Sequence, residues 1–72
     1  MRYIVEVERE NDGRWLAEIA DLPGVMAYGV SREEAMQKAE ALALRVIADR
    51  IEHGEYAGVP PSISFAAATP GE

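Results

Sequence analysis

The residues of this sequence that could most readily do chemistry are four carboxylates near its N-terminus: Glu6, Glu8, Glu18 and Asp21. Glu6 and Glu8 are two residues apart, so a β-strand places both on one face, where Glu18 of a paired strand could join them. Carboxylate oxygens gathered on one face suit a divalent cation. A solvated sheet face gives the same pattern, and we favour that interpretation over a metal site.

Other catalytic and metal-binding signatures are missing from the sequence. There is no Cys and a single His, His53, so one chain offers neither thiolate ligands nor a pair of imidazoles. There is also no glycine-rich phosphate loop and no G-x-S-x-G segment. Ser31 and His53 are better explained as residues that begin and end a helix. We therefore expect no enzymatic activity, no metal and no cofactor.

Aromatic side chains offer binding rather than chemistry. Trp15 and Tyr28 could pack in the core beneath a helix, which is the interpretation we favour, or could anchor a protein partner. Trp and Tyr often dominate the binding energy of protein interfaces. The candidate partner-binding residues are Trp15, Asp21, Leu22, Tyr28, Glu6 and Glu8.

The charge of the chain excludes some partners and favours others. It has 13 acidic and 7 basic side chains, a net charge of −6, and no basic segment. Direct nucleic-acid binding depends on Lys and Arg contacts with phosphates, so we expect none. An acidic balance suits a basic protein partner. The N-terminal residues alternate in polarity instead of forming an apolar run, so we expect a cytoplasmic protein with no membrane contact.

Three strands are predicted in the first part of the chain. Alternating polarity predicts strands over residues 2–10 and 15–20, and a short apolar run predicts a third over residues 25–29. Because tight turns connect them, the three strands should form an antiparallel meander.

The turns between these strands have their own signals. Asp12-Gly13 is a strong signal for a hairpin turn, because both turn positions tolerate a positive φ. In the segment DLPG, residues 21–24, Pro23 fixes φ and Gly24 supplies conformational freedom just after it, which predicts a type II turn.

A long helix is predicted over residues 32–53. Ser31 is a good N-cap, and Glu34 three residues later completes a capping box. Gly54 follows as the residue that ends the helix. One apolar stripe repeats at spacings of three and four residues. Its members are Ala35, Met36, Ala39, Leu42, Ala43, Val46, Ile47 and Ile51.

The fourth strand is predicted over residues 62–65, beside the first strand, and residues 66–72 are predicted to be a frayed tail. The fold class that follows is α+β. It is a two-layer βββαβ domain with a three-stranded antiparallel meander, one long helix and a fourth strand, in a single domain over residues 1–72. The helix covers one sheet face. The other face is a candidate interface that keeps Ile4, Leu16 and Met26.

The assembled pattern resembles the HicB family of antitoxins over nearly the whole chain. The most specific part is DLPG followed by Gly29 and then SREEA, residues 31–35. The weaker matches are Tyr3, Asp12-Gly13, Trp15, Ala39, Leu42, Gly54 and the VPPS of residues 59–62. In physical terms the segment Asp21–Ala35 turns the chain and starts the helix, so the motif specifies fold.

The resemblance implies a partly ribonuclease H-like domain without nuclease activity. Such a domain binds and neutralises a small basic HicA-type toxin that cleaves mRNA. Members of the family usually carry a further DNA-binding module, and we expect this chain to end before one.

Three hypotheses about function follow. The first is a non-enzymatic, HicB-like antitoxin-type domain that binds a small basic toxin and associates as a homodimer or higher homo-oligomer. The second is a self-associating module with no toxin partner. The third is a residual metal-dependent ribonuclease that uses Glu6, Glu8 or Asp21.

Overall fold

The computed structural model describes residues 1–56 and 62–68 of the chain. Those residues form a four-stranded sheet and one helix in the order βββαβ. The elements are β1 (Arg2–Arg9), β2 (Trp15–Glu18), β3 (Met26–Gly29), α1 (Arg32–Glu52) and β4 (Ser64–Ala68). The α+β fold class predicted from the sequence is confirmed.

The sheet has the strand order β3-β2-β1-β4. Its first three strands pair as an antiparallel meander, and β4 lies beside β1, parallel to it, as predicted. Backbone hydrogen bonds fix the start of this parallel pair: the amino group of Met1 donates to the carbonyl of Ser62, and the N–H of Ser64 donates to the carbonyl of Met1 over 2.9 Å. Parallel neighbours need a crossover connection, which contains α1.

The core lies between α1 and one face of the sheet. The strands and the loop after β2 contribute Tyr3, Val5, Val7, Ala17, Ile19, Leu22 and Val25. The buried residues of α1 recur at every fourth position and are Ala35, Ala39, Ala43 and Ile47. Because three of these four are alanines, the backbone of α1 lies close to the sheet.

Gly29, the last residue of β3, lies against the first turn of α1. A Cβ atom at this position would be 2.5 Å from the backbone nitrogen of Ala35 and 3.0 Å from its Cα. The φ angle of Gly29 is not positive, unlike those of Gly13, Gly24 and Gly54. What the fold requires here is therefore space for a backbone contact, and not a left-handed conformation.

Two consecutive turns connect β2 to β3. The N–H of Leu22 donates to the carbonyl of Ile19, and the N–H of Val25 donates to the carbonyl of Leu22, each over 3.0 Å. The second turn has Pro23 and Gly24 at its centre with φ of +83° at Gly24, as the predicted type II turn requires. The first turn takes up the last two residues predicted for the second strand, so β2 ends earlier than expected.

The hairpin predicted at Asp12-Gly13 connects β1 to β2. Gly13 has a φ of +89°, whereas Asp12 does not have a positive φ. The N–H of Gly13 donates to the carbonyl of Glu10 over 3.0 Å, and the N–H of Glu10 donates to the carbonyl of Arg14 over 2.7 Å. This pattern is that of a longer hairpin loop with one left-handed glycine, which also shortens β1 by one residue.

The fourth strand extends further than the sequence indicated. It begins two residues later than predicted and includes Ala66–Ala68, which were predicted to be frayed. These alanines pair with Ile4, Val5 and Glu6 of β1. Alanine has a low strand propensity, so this pairing with β1 determines the conformation. Residues 69–72 of the predicted tail lie outside the described residues.

The helix begins as predicted and ends one residue earlier, because His53 is its C-cap. The hydroxyl of Ser31 accepts from the N–H of Glu34 over 3.1 Å, while the carboxylate of Glu34 accepts from the N–H of Val30. That hydrogen bond and the ammonium of Lys38, at 3.2 Å, lower the pKa of Glu34. Ile51, predicted to face the core, is exposed.

Within residues 1–56 and 62–68, no helix has both the length and the apolarity needed to cross a bilayer.

Replacing Gly29 by Ala should destabilise the fold by about 2 kcal/mol, because the added methyl group would overlap the backbone of Ala35. Urea unfolding measures this difference. Gly13 is the matched control, since a Cβ there meets no atom within 4 Å and only its positive φ is demanding. Asn tolerates that φ better than Ala does, so Asn should be the milder substitution at Gly13. At Gly29, Asn should destabilise the fold at least as much as Ala does. A smaller loss of stability with Asn than with Ala would contradict a requirement for space at this position.

Stability should also depend on the protonation of His53. Its Nδ1 lies 2.7 Å from the carbonyl oxygen of Asp49, and this carbonyl and the Asp49 carboxylate raise the pKa of His53. Because the folded pKa is raised, the protonated imidazole stabilises the chain below about pH 6.5, and this contribution is lost as the pH rises through the folded value. Urea midpoints at pH 5.5 and 7.5 should therefore differ more for the native chain than for His53→Gln. An equal difference in both proteins would contradict the assignment.

Candidate functional site

The face of the sheet that points away from α1 is not covered by the described part of the chain. Strand alternation places there the side chains that do not enter the core, and we call this surface the outer face. Several of its apolar side chains are exposed, with Ile4 at 41%, Met26 at 42% and Tyr28 at 39%. The outer face consists of Arg2, Ile4, Glu6 and Glu8 of β1, Leu16 and Glu18 of β2, Met26 and Tyr28 of β3, and Ser64, Ala66 and Ala68 of β4.

The strand register arranges these side chains in two rows across the sheet. In one row Leu16 of β2 is flanked by Glu8 of β1 and Tyr28 of β3. In the next row Glu18 is flanked by Glu6 and Met26. The outer face is therefore acidic on β1 and apolar on β3, and the two halves meet at β2.

The three glutamates lie around Leu16 in a shallow depression with a volume of about 70 Å³. Glu6 and Glu18 are directly opposite each other, so their Cβ atoms are about 5 Å apart, and like charges in this position destabilise a sheet. Among residues 1–56 and 62–68, none of the ion pairs involves these glutamates. The fold therefore tolerates a repulsion that a bound cation or basic group would relieve.

A resident metal ion is one group that could relieve this repulsion. A resident ion in a site built by the protein alone needs several oxygen ligands that converge on it. In the described part of the chain, no group of three or more His, Cys, Asp or Glu residues is placed to hold a metal ion. Glu6, Glu8 and Glu18 share a face as predicted, yet they spread across it instead of converging.

The apolar half of the outer face ends at a fixed cation. The guanidinium of Arg14 lies 4.3 Å from the centre of the Tyr28 ring, within the range of a cation–π interaction. Asp12 holds Arg14 in place: its carboxylate accepts from Nε over 2.7 Å and from the Arg14 N–H over 3.0 Å. The hydrogen bond from the backbone N–H of Arg14 lowers the pKa of Asp12 most, and the one from Nε lowers it further. The ring face of Tyr28 is thus partly occupied within the chain itself.

The residues predicted to bind a partner do not form one surface. Glu6, Glu8 and Tyr28 lie on the outer face. Trp15 lies on the other side of the sheet, half-buried against the core, as the favoured interpretation had it. Leu22 is 1% exposed, so its side chain is a core residue and not a contact for a partner, which corrects that prediction. Asp21 is exposed in the loop between β2 and β3.

The prediction that Tyr28 packs in the core is wrong, because its side chain is exposed. Tyr28 is paired with Leu16, and both point away from α1 because Gly29, the next residue, faces the helix. The contact between Arg14 and Tyr28 was not predicted from the sequence. The order Asp12-Gly13-Arg14 indicates that Asp12 can bind Arg14, but only the register of β3 shows which ring Arg14 contacts.

Comparison with known proteins supports a family assignment. A UPF0150 protein of Archaeoglobus fulgidus is 30% identical over 61 residues, which are 82% of this chain and 88% of the archaeal protein. No family model and no solved structure matches the chain. The match spans most of both proteins. The chain belongs to the UPF0150 family.

Proposed function

We propose that this chain is a non-enzymatic, antitoxin-type domain that binds a small basic protein on its outer face. The observation that carries the proposal is the set of three glutamates around Leu16, which form no ion pair within the described residues, next to exposed Met26 and Tyr28. A partner with lysines or arginines beside an apolar side chain matches both halves of this surface.

Electrostatics supports a basic partner in particular. A cationic side chain placed between Glu6 and Glu18 would replace a repulsion by two attractions. The net charge of −6 would also attract a basic protein at long range and increase its association rate. An acidic partner would meet like charges at β1 and would be disfavoured.

The apolar side chains support a protein partner in preference to a small ion. Tyr28 and Met26 belong to residue types that are enriched in the centre of protein interfaces. Arg14 and Asp12 hold the Tyr28 ring in one position, so less side-chain entropy is lost on binding. The depression itself, with a volume of about 70 Å³ on an open sheet face, is far smaller than the sites that hold small organic ligands.

The antitoxin role rests on family membership. The UPF0150 family corresponds to HicB-like, antitoxin-related proteins, which agrees with the resemblance of the segment Asp21–Ala35. A toxin of the HicA type binds RNA, and a protein surface that binds RNA must be basic. We propose that the outer face covers that surface, so that toxin and RNA compete.

No observation favours the alternative of a metal-dependent ribonuclease. Its candidate ligands Glu6, Glu8 and Asp21 belong to no group that could hold a metal within the described residues. We accordingly expect RNA incubated with this chain and Mg²⁺ or Mn²⁺ to stay intact. Cleavage that is lost in Glu6→Gln would contradict the proposal.

The test is inhibition of a purified HicA-type toxin, with the chain titrated against toxin and a labelled RNA. The native chain should suppress cleavage at a one-to-one ratio, and Glu18→Lys should bind the toxin at least tenfold more weakly. This substitution places opposite charges across β1 and β2, so it should not destabilise the sheet. Loss of inhibition by a folded variant therefore reports on the interface.

Glu55→Lys is the matched control, because Glu55 is exposed beyond the end of α1 and the charge change is the same. It should inhibit the toxin nearly as well as the native chain does. If Glu55→Lys and Glu18→Lys weaken inhibition equally, overall charge and not the outer face drives binding. If the native chain fails to inhibit, the antitoxin role is contradicted.

A further inference from the structure

The strand β3 forms one edge of the sheet, since only β2 lies beside it in the described part of the chain. The carbonyl of Val25 accepts from the N–H of Ile19 over 3.0 Å, so the backbone groups of Val25 face β2. Backbone groups of an antiparallel strand alternate in direction, so the residues two and four further along face β2 as well. The N–H and carbonyl groups of Met26 and Tyr28 therefore point away from the sheet.

The sequence of β3 does not protect this edge. Sheets usually protect their edges with charged side chains, prolines or bulges, and the strand MAYG contains no charged residue and no proline. Its pairing with β2 runs one residue to one residue, so it also lacks a bulge. The side chains of Met26 and Tyr28 are exposed, and Val30 just beyond them is 80% exposed. Unused hydrogen-bonding groups and apolar side chains thus occur along the same short segment.

The opposite edge of the sheet, β4, has a different character. The N–H of Ser64 donates to β1, so alternation directs the backbone groups of Phe65 and Ala67 outwards. The Phe65 side chain is half-buried against the core and Ala67 is small. Of the two edges, β3 is therefore the one that combines free backbone groups with large exposed apolar side chains.

We infer that an extended segment of the basic partner adds to β3 as a fifth strand of the sheet. The inference rests on the proposed function and specifies which part of the partner is held. An extended backbone can bond to the outward groups of Met26 and Tyr28, whereas a helix uses its own backbone groups internally. In this mode of binding, main-chain hydrogen bonds supply affinity and alternate side chains supply specificity.

The charges around the edge favour a basic segment. Asp21 lies in the loop that leads into β3, Glu18 lies beside Met26, and Glu33 is exposed in the first turn of α1. Among the described residues, no ion pair involves any of these three carboxylates. A lysine or arginine opposite Met26 would be two strand spacings, about 10 Å, from Glu18, which its side chain can approach across the sheet. A second copy of this chain would instead bring the same acidic residues together.

Amide hydrogen exchange of the labelled chain, alone and with a purified HicA-type toxin, tests the inference. In the chain alone the amides of Met26 and Tyr28 should exchange rapidly, and the toxin should slow both by about tenfold or more. The amides of Phe65 and Ala67 are the matched control, since they point outwards from the opposite edge and should keep their rates.

The outcomes of this measurement are distinct. A complex in which the amides of Met26 and Tyr28 exchange as fast as in the chain alone would overturn the inference and leave the proposed function standing. Failure to form any complex would contradict the proposed function itself. Slow exchange of both amides in concentrated chain without toxin would assign the edge to a second copy and would also overturn the inference.

A proline substitution tests the hydrogen bond directly. Met26→Pro removes the outward N–H at the first residue of β3, where an edge strand tolerates proline. Met26→Ala is the matched comparison, because both variants lose the Met26 side chain and only one loses the N–H. Met26→Pro should bind the toxin about tenfold more weakly than Met26→Ala does. Equal affinities in two folded variants would overturn the inference.

Ala67→Pro controls for proline at a sheet edge, since it removes an outward N–H from β4 and should bind the toxin as the native chain does. Urea unfolding shows which variants are folded. The exchange measurement needs no substitution, so it decides the outcome if Met26→Pro does not fold.

Discussion

The close approach of α1 to the sheet is the constraint on which the rest of the structure depends. Ala35, Ala39 and Ala43 form the contact side of the helix, and Gly29 allows the backbone of β3 to touch its first turn. Since small residues leave little volume between the layers, most of the larger core side chains come from the strands and from the connection between β2 and β3, and Ile47 is the large buried side chain of α1. The segment Asp21–Ala35 supplies both Gly29 and the helix start, so it specifies this contact before it specifies any binding.

A single helix on a four-stranded sheet leaves two surfaces without a covering layer in the described residues. The outer face combines acidic residues on β1 with apolar ones on β3. The solvent side of α1 carries exposed charged residues, among them Lys38, Arg45 and Glu52. A basic protein matches the charge of the outer face.

The sequence was sufficient for the features that local chemistry determines, and insufficient for those that depend on pairing. Ser31 and Glu34 bind the backbone at the start of the helix as their spacing predicted. The side of the sheet on which Tyr28 lies follows from the register with β2, and Ala66–Ala68 form a strand only because β1 pairs with them. Leu22 looked like a surface residue because it stands in a turn, yet two consecutive turns direct it into the core.

The most direct test of this account is an amide NMR titration of the labelled chain with a purified HicA-type toxin. The account predicts that the toxin shifts the signals of residues 6, 8, 16, 18 and 28. Toxin-induced shifts centred on α1, with the outer face unchanged, would contradict it.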